Sequence, residues 1–284
     1  MPSQTLSGPG SPHTLSARGP HLLRALRAVV GREIHKFLRQ PARLASALVR
    51  PLLWFVVFAT GFQNVFGVSI IPPYETYIEY KVYMLPGLLG MIALFNGMQS
   101  SLSLVYDREM GLMRLLLTAP LNRAWLLAFK LLAGTSLSVL QMVVFLSMAW
   151  ALGVDVLPLH ALQALPAMAL AAVLMASMGL VLSVYVRQLE NFAGAMNFVI
   201  FPMFFISSAL YPLWKFEEAG AAWLYLLAQL NPFTQAVETV RFALHGQTYG
   251  LGWAVGLAGT LLFFALAVRG YDPQRGWMRQ RGAA

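Results

Sequence analysis

Residues 106–123 read YDREMGLMRLLLTAPLNR, with two acids and three arginines around a run of Leu and Met. On one side stands YMLPGLLGMIALFNGMQSSLSLV (83–105), and on the other a second apolar run over roughly 125–152. About 20 apolar residues cross a bilayer as a helix, so each flank is a candidate span and the charged stretch is the loop between them. Within that loop Asp107 suits a helix N-cap or first turn, and Glu109 complements the positive end of the helix dipole. Leu112, Leu115 and Leu116 recur at helical spacing, with Met113 and Leu117 as a flanking row. Pro120 ends the pattern, because the residue before a proline is pushed out of the helical region. The stretch therefore predicts a short amphipathic helix over about 107–118, tied directly to two spans.

The rest of the chain supports a lipid-embedded protein. Of its 284 residues 58% are hydrophobic and 11% charged, whereas soluble domains carry about 25% charged residues. There is no Cys, which excludes disulfides and thiolate metal sites. The first 20 residues are rich in Ser, Gly and Pro and read as a disordered tail, not as a cleavable signal peptide. Over 21–41 apolar residues at helical period alternate with Arg and Lys, which predicts an amphipathic helix in the cytoplasmic interface.

Six spans are predicted between 42 and 270, at roughly 44–65, 83–105, 125–152, 161–186, 192–211 and 251–268, with Pro86, Pro166 and Pro202 inside them. Seventeen basic residues then fall on the side of the termini and of the 106–123 loop, against Lys81, Lys215 and Arg241 on the other. This bias places both termini in the cytoplasm, including a basic tail over 271–284. The stretch 211–247, which holds the segment 212–245, is long and apolar but broken at Gly220, Asn231-Pro232 and Gly246. It reads as a re-entrant pair of short helices in the outer leaflet, with Glu238 and Arg241 placed to pair on one face. A seventh span over 221–244 is the other reading, and it conflicts with the basic C-terminus.

Catalytic signatures are missing. No GxxxxGK[ST], HExxH or GxSxG occurs, and the five His residues show no metal-ligand spacing. The mid-span polar groups are neutral, among them Asn96, Gln99, Ser100, Gln141, Asn197, Ser207 and Ser208. Interhelical hydrogen bonding is the ordinary role of such groups. The Gly252/Gly256 pair is a helix-packing pattern. The chain thus reads as a membrane protein that is not an enzyme and carries no energy source of its own.

The order Tyr106-Asp107-Arg108-Glu109, Gly111, Leu115-Leu116-Leu117 and Pro120 between two spans resembles the permease subunit of type-2 ATP-binding-cassette exporters. LNPFTQAVETVRFAL (230–244) resembles that family's Asn-Pro segment before the last span. Within the family, SIIPPYETYIEYKVYMLPG and LENFAGAMNFVIFPMFF are similar to permeases found beside pyrroloquinoline-quinone-dependent alcohol oxidation systems. The resemblance implies an all-α membrane protein with six spans, in a bacterial inner membrane. It implies export of an amphipathic or lipid-linked substrate, powered by a separate ATPase subunit that holds the ATP and Mg, so that this chain binds no cofactor of its own. It implies a second permease copy, identical or paralogous, with no nucleic-acid partner and with lipids around the pair. Asp107, Arg108, Glu109, Met110, Gly111, Leu112, Met113, Arg114, Leu115 and Leu116 would form the coupling helix against the ATPase. Asn231, Pro232, Glu238 and Arg241 would belong to the re-entrant segment. Asn96, Gln99, Asn197, Phe201 and Phe205 would line a path between the permeases, although lipid-facing or packing surface is the other reading of these positions. A passive channel or scaffold with no ATPase is the alternative function, and a membrane-embedded enzyme would need a reactive cluster that the sequence does not show.

Overall fold

In a computed structural model the described residues are 41–61, 72–74, 76, 78–109, 123–186 and 188–271, with Gly31 and His35. The tail over 1–20, nearly all of the 21–41 interface helix and residues 272–284 lie outside them. The architecture is all-helical, with no strand among the described residues. In chain order the helices are α1 Pro41–Gly61, α2 Tyr80–Glu109, α3 Arg123–Ala151, α4 Pro158–Gln163 and α5 Leu165–Tyr185. They continue as α6 Leu189–Phe205, α7 Trp214–Glu218, α8 Ala222–Leu230, α9 Pro232–Ala243 and α10 Gly250–Gly270.

Four stretches are long and apolar enough to cross a membrane: Tyr80–Tyr106, Ala124–Ala151, Pro158–Tyr185 and Gly250–Gly270. The first and fifth expected spans are shorter apolar helices here, Leu48–Ala59 and Leu189–Phe205. Pro166 does not kink a span; it sits in the first turn of α5, where its missing N–H costs nothing.

α2 and α5 form the buried centre, and the other helices pack around them. Their crossing rests on two glycines. A Cβ on Gly97 would lie 2.7 Å from the Ala176 amide nitrogen, and one on Gly179 would lie 2.6 Å from the Gly97 carbonyl oxygen. Two apolar helices gain nothing from hydrophobicity when both already sit in lipid, so close backbone approach through small residues supplies the packing. The Gly252/Gly256 pattern works inside the chain in the same way. Gly252 packs on Thr239 and Gln235 of α9, and Gly256 on Leu170 of α5.

The expected fifth span over 192–211 is helical only to Phe205. At about 1.5 Å per residue its 17 residues reach about 25 Å, short of a hydrocarbon core about 30 Å thick. Residues 206–213 then run on without regular helix. Ser207, Ser208, Ala209 and Leu210 are nonetheless buried. Irregular backbone at such depth survives only if the protein itself satisfies its polar groups.

Candidate functional site

The unwound segment after α6 is held by side chains from three directions. The Asn231 amide donates to the carbonyls of Met203 (2.8 Å) and Ile206 (2.7 Å), while its own oxygen accepts from the Phe233 amide (2.9 Å). One residue thus closes the end of α6 and caps the start of α9, where Pro232 needs no donor partner. Tyr80 Oη donates to the Leu210 carbonyl at 2.7 Å, and Tyr83 Oη to the Ser208 carbonyl at 3.0 Å. The Ser207 hydroxyl donates to Phe204 O at 2.6 Å. A Cβ on Gly87 would fall 2.1 Å from Ala209 O, so the backbone of α2 lies directly on the segment.

Arg241 completes this node. It is 2% exposed, pairs with Glu238 one turn back on α9, and donates to Ser208 O at 2.7 Å. Its guanidinium also lies 4.2 Å from the centroid of the Tyr83 ring. Pairing with Glu238 is as the sequence predicts, but burial changes its weight. An exposed i,i+3 pair is worth about 0.3–0.5 kcal/mol, whereas removing one partner of a buried pair costs about 3–5 kcal/mol. Next to it Tyr74 meets Tyr83 at 6.2 Å and His245 edge-on at 4.8 Å. Burial pushes the Tyr74 phenol up to about 12 and pushes His245 below the ordinary imidazole value, so both are neutral at pH 7. His245 Nδ1 faces the Arg241 carbonyl at 2.9 Å.

Asn231, Pro232, Glu238 and Arg241 are therefore brought together at the unwound segment. Sequence reasoning missed Tyr80, Tyr83 and Gly87, the α2 half of the node. Their spacing of three and four along one helix face was the available signal.

The path candidates divide. Asn96 donates to Gln141 of α3, an interhelical hydrogen bond. Gln99 and Asn197 are exposed, as are Phe201 (48%) and Phe205 (42%). Phe201 and Phe205 stack at 6.3 Å, and Phe205 meets Trp54 of α1 at 6.1 Å. Of the coupling segment, the backbone of Asp107, Arg108 and Glu109 forms the last turn of α2 rather than a new helix start. Met110, Gly111, Leu112, Met113, Arg114, Leu115 and Leu116 lie outside the described residues. Among the described residues no group of His, Asp and Glu is arranged to hold a metal ion.

The ABC-2 type transporter family model matches residues 24–245 of this chain, a stretch that contains the long apolar helices α2, α3 and α5 and the unwound segment tied to Asn231. The chain belongs to that family. Among curated relatives it is 28% identical over 225 residues to a protein of Cyanophora paradoxa named as a transport permease, ycf38, covering 78% of this chain and 74% of that one. A ycf38 protein of Pyropia yezoensis is 27% identical over 223 residues, with the same two shares. As an ABC-2 family member the chain is a transport permease, a membrane-embedded component of an ABC transporter, and membership implies an ATPase partner.

Proposed function

We propose that this ABC-2 permease is the membrane half of an ATP-driven exporter, moving an amphipathic or lipid-linked substrate out of the cytoplasm. The observation that carries the reading is the unbroken α2, 30 residues from Tyr80 to Glu109. At about 1.5 Å per residue it is a rod about 45 Å long. One end leads into the 107–118 segment, and the other holds the unwound segment through Tyr80, Tyr83 and Gly87. From Gly87, which lies against Ala209 of the unwound segment, to Glu109 the helix holds no proline, so a push on the cytoplasmic end is delivered along a continuous helix to that contact; Pro86 stands just beyond it. Glycine contacts with α5 at Gly97 carry the same displacement into the centre of the bundle.

In this reading the ATPase subunit binds ATP and Mg, and its closure presses on the 107–118 helix. The permease acts as a pair of identical or paralogous copies in an inner membrane, with both termini cytoplasmic. α1 and α6 complete six spans, and α8 and α9 form the re-entrant pair. At nine and twelve residues, these two helices are about 14 and 18 Å long, too short to cross singly.

Leu115→Asp tests the coupling role. Burying one Leu is worth roughly 1.5–3 kcal/mol, so losing a central one weakens docking by about one to two orders of magnitude. The variant is expected to insert and pair normally, to lose the ATPase in pull-downs at equal permease level, and to lose ATP-dependent transport in proteoliposomes. Undiminished ATPase binding and transport would refute the coupling role.

A further inference from the structure

Two histidines that are far apart in sequence, His160 and His245, meet at one turn. The chain between α9 and α10 passes through Gly246, whose φ of +70° suits a glycine. A Cβ there would lie 2.8 Å from His160 Nε2, so the imidazole of α4 lies directly on the backbone of the turn. His245, the residue before, is half-buried and meets the Tyr74 ring edge-on at 4.8 Å. Its Nδ1 lies 2.9 Å from the Arg241 carbonyl, which can only accept, so Nδ1 carries the proton and Nε2 is the atom left to titrate. Both imidazoles line one cavity of about 400 Å³, together with Tyr74, Asp155, Leu244 and Gln247. A further tie of the turn, from Gln247 Nε2 to the Pro73 carbonyl, is long at 3.4 Å.

The charges around this pair decide its response to protons. On α9 stand Arg241, which is buried, and Glu238, which Arg241 already holds. The 72–74 stretch and α2 supply the phenols of Tyr74 and Tyr83, and at the start of α2 Lys81 is closed on Glu79 at 2.7 Å. The chain before α4 supplies Asp155, which is exposed to solvent. α5 carries no charged residue, and α10 carries only Arg269, at its far end. Arg241 therefore acts on His245 as a like charge, and a protonated His160 adds to it. Burial, and after it the Arg241 charge, holds His245 below the ordinary imidazole value, against the pull of the carbonyl hydrogen bond. The sign follows: the neutral, closed arrangement holds above about pH 6.5 and weakens as pH falls below it.

We propose that His160 and His245 form an acid-opened latch: while both imidazoles are neutral the α9–α10 turn is docked on α4, and protonating the pair beside the Arg241 guanidinium releases the turn and opens the cavity. The bond from Nδ1 to the Arg241 carbonyl survives protonation, so repulsion between cations drives the release. Because α9 also carries the Arg241 bond to the unwound segment, release loosens the outer node in the same step. The inference goes beyond the export reading and does not depend on it.

The test is thiol accessibility in the full-length permease alone, in zwitterionic lipid nanodiscs. The chain has no Cys, so Leu244→Cys, a buried position of the cavity wall, is a single reporter. Its rate of modification by a neutral methanethiosulfonate is divided by that of the exposed Glu217→Cys, which cancels the effect of pH on the thiol. The ratio is expected to rise by about fivefold or more between pH 8 and pH 5, with a midpoint below about 6.5. Adding His245→Asn, whose amide keeps a donor near the Nδ1 position but cannot take a charge, should cut the rise to less than about twofold. If His245→Asn fails to accumulate, His160→Gln takes its place and should at least halve the rise. Leu127→Cys, buried at the start of α3 and away from the cavity, should stay shielded at both pH values. A ratio that does not change with pH would overturn the proposal, as would a rise in the histidine variant equal to that of the parent. Exposure of Leu127→Cys in step with Leu244→Cys would also overturn it, since the acid effect would then be loosening of the whole bundle. No ATPase is present, so failure of the coupling reading is read separately.

Discussion

Replacing Arg241 with Met tests whether the outer node is a stabilising element. The substitution keeps an unbranched apolar stem but removes the ion pair to Glu238, the 2.7 Å bond to the Ser208 carbonyl and the contact with the Tyr83 ring. Ser208 O keeps the Tyr83 hydroxyl at 3.0 Å, so that acceptor is not orphaned. Glu238 is orphaned, and its side chain is only 18% exposed. Breaking a buried pair from one side costs about 3–5 kcal/mol, and the residual exposure of Glu238 favours the lower end, about 3 kcal/mol. For a chain of this size that corresponds to a fall in melting temperature of about 6–12 °C. Thiol dyes cannot report on a chain with no Cys, but its seven tryptophans give an intrinsic fluorescence signal for a melt in detergent. Adding Glu238→Met should recover part of the loss, because it removes the uncompensated carboxylate. Refutation would be a melt of Arg241→Met within about 1 °C of the parent, or a double variant less stable than the single one.

Three further outcomes are expected. Asn231→Ala leaves the Met203 and Ile206 carbonyls without their donor and uncaps α9, so it should destabilise by about 2–4 kcal/mol in the same melt; Asn231→Asp, which keeps the cap but loses the donors, should fall between. Gly97→Leu drives a side chain into the backbone at Ala176 and should abolish accumulation of folded permease, checked by size-exclusion chromatography, while Gly194→Leu, where a Cβ meets nothing, should be tolerated. Single cysteines at 76 and 217 should label with an impermeant maleimide from outside intact cells, and a cysteine at 114 only after lysis; the reverse pattern would invert the topology.

Membrane embedding and helix class were legible without coordinates, because each depends on residue type summed along the chain. Twenty-odd apolar residues can satisfy their backbone in lipid only as helix or as a closed barrel, and runs at helical length select the helix. Asn231-Pro232 was legible as a helix break for a local reason, the ring of Pro232 together with a side chain suited to capping. What Asn231 does with its second group was not legible. Its donors go to carbonyls 25 and 28 residues earlier, and only the folded chain brings them within reach. The fifth expected span, α6, looked as long as its apolar run, since hydropathy does not distinguish helix from buried irregular backbone. It stops at Phe205 because Asn231, Arg241, Tyr80 and Tyr83 accept the cost of the freed carbonyls. Glu238 and Arg241 were legible as a pair from their spacing of three, but not as a buried pair, since burial is a property of the neighbours. Arg50 shows the same division. Its presence in an apolar run is plain in the sequence, while its contact with the Phe95 ring is set by how two helices register against each other. Residue composition decided the solvent of this protein; packing between distant residues decided where its helices end and which of its polar groups are buried.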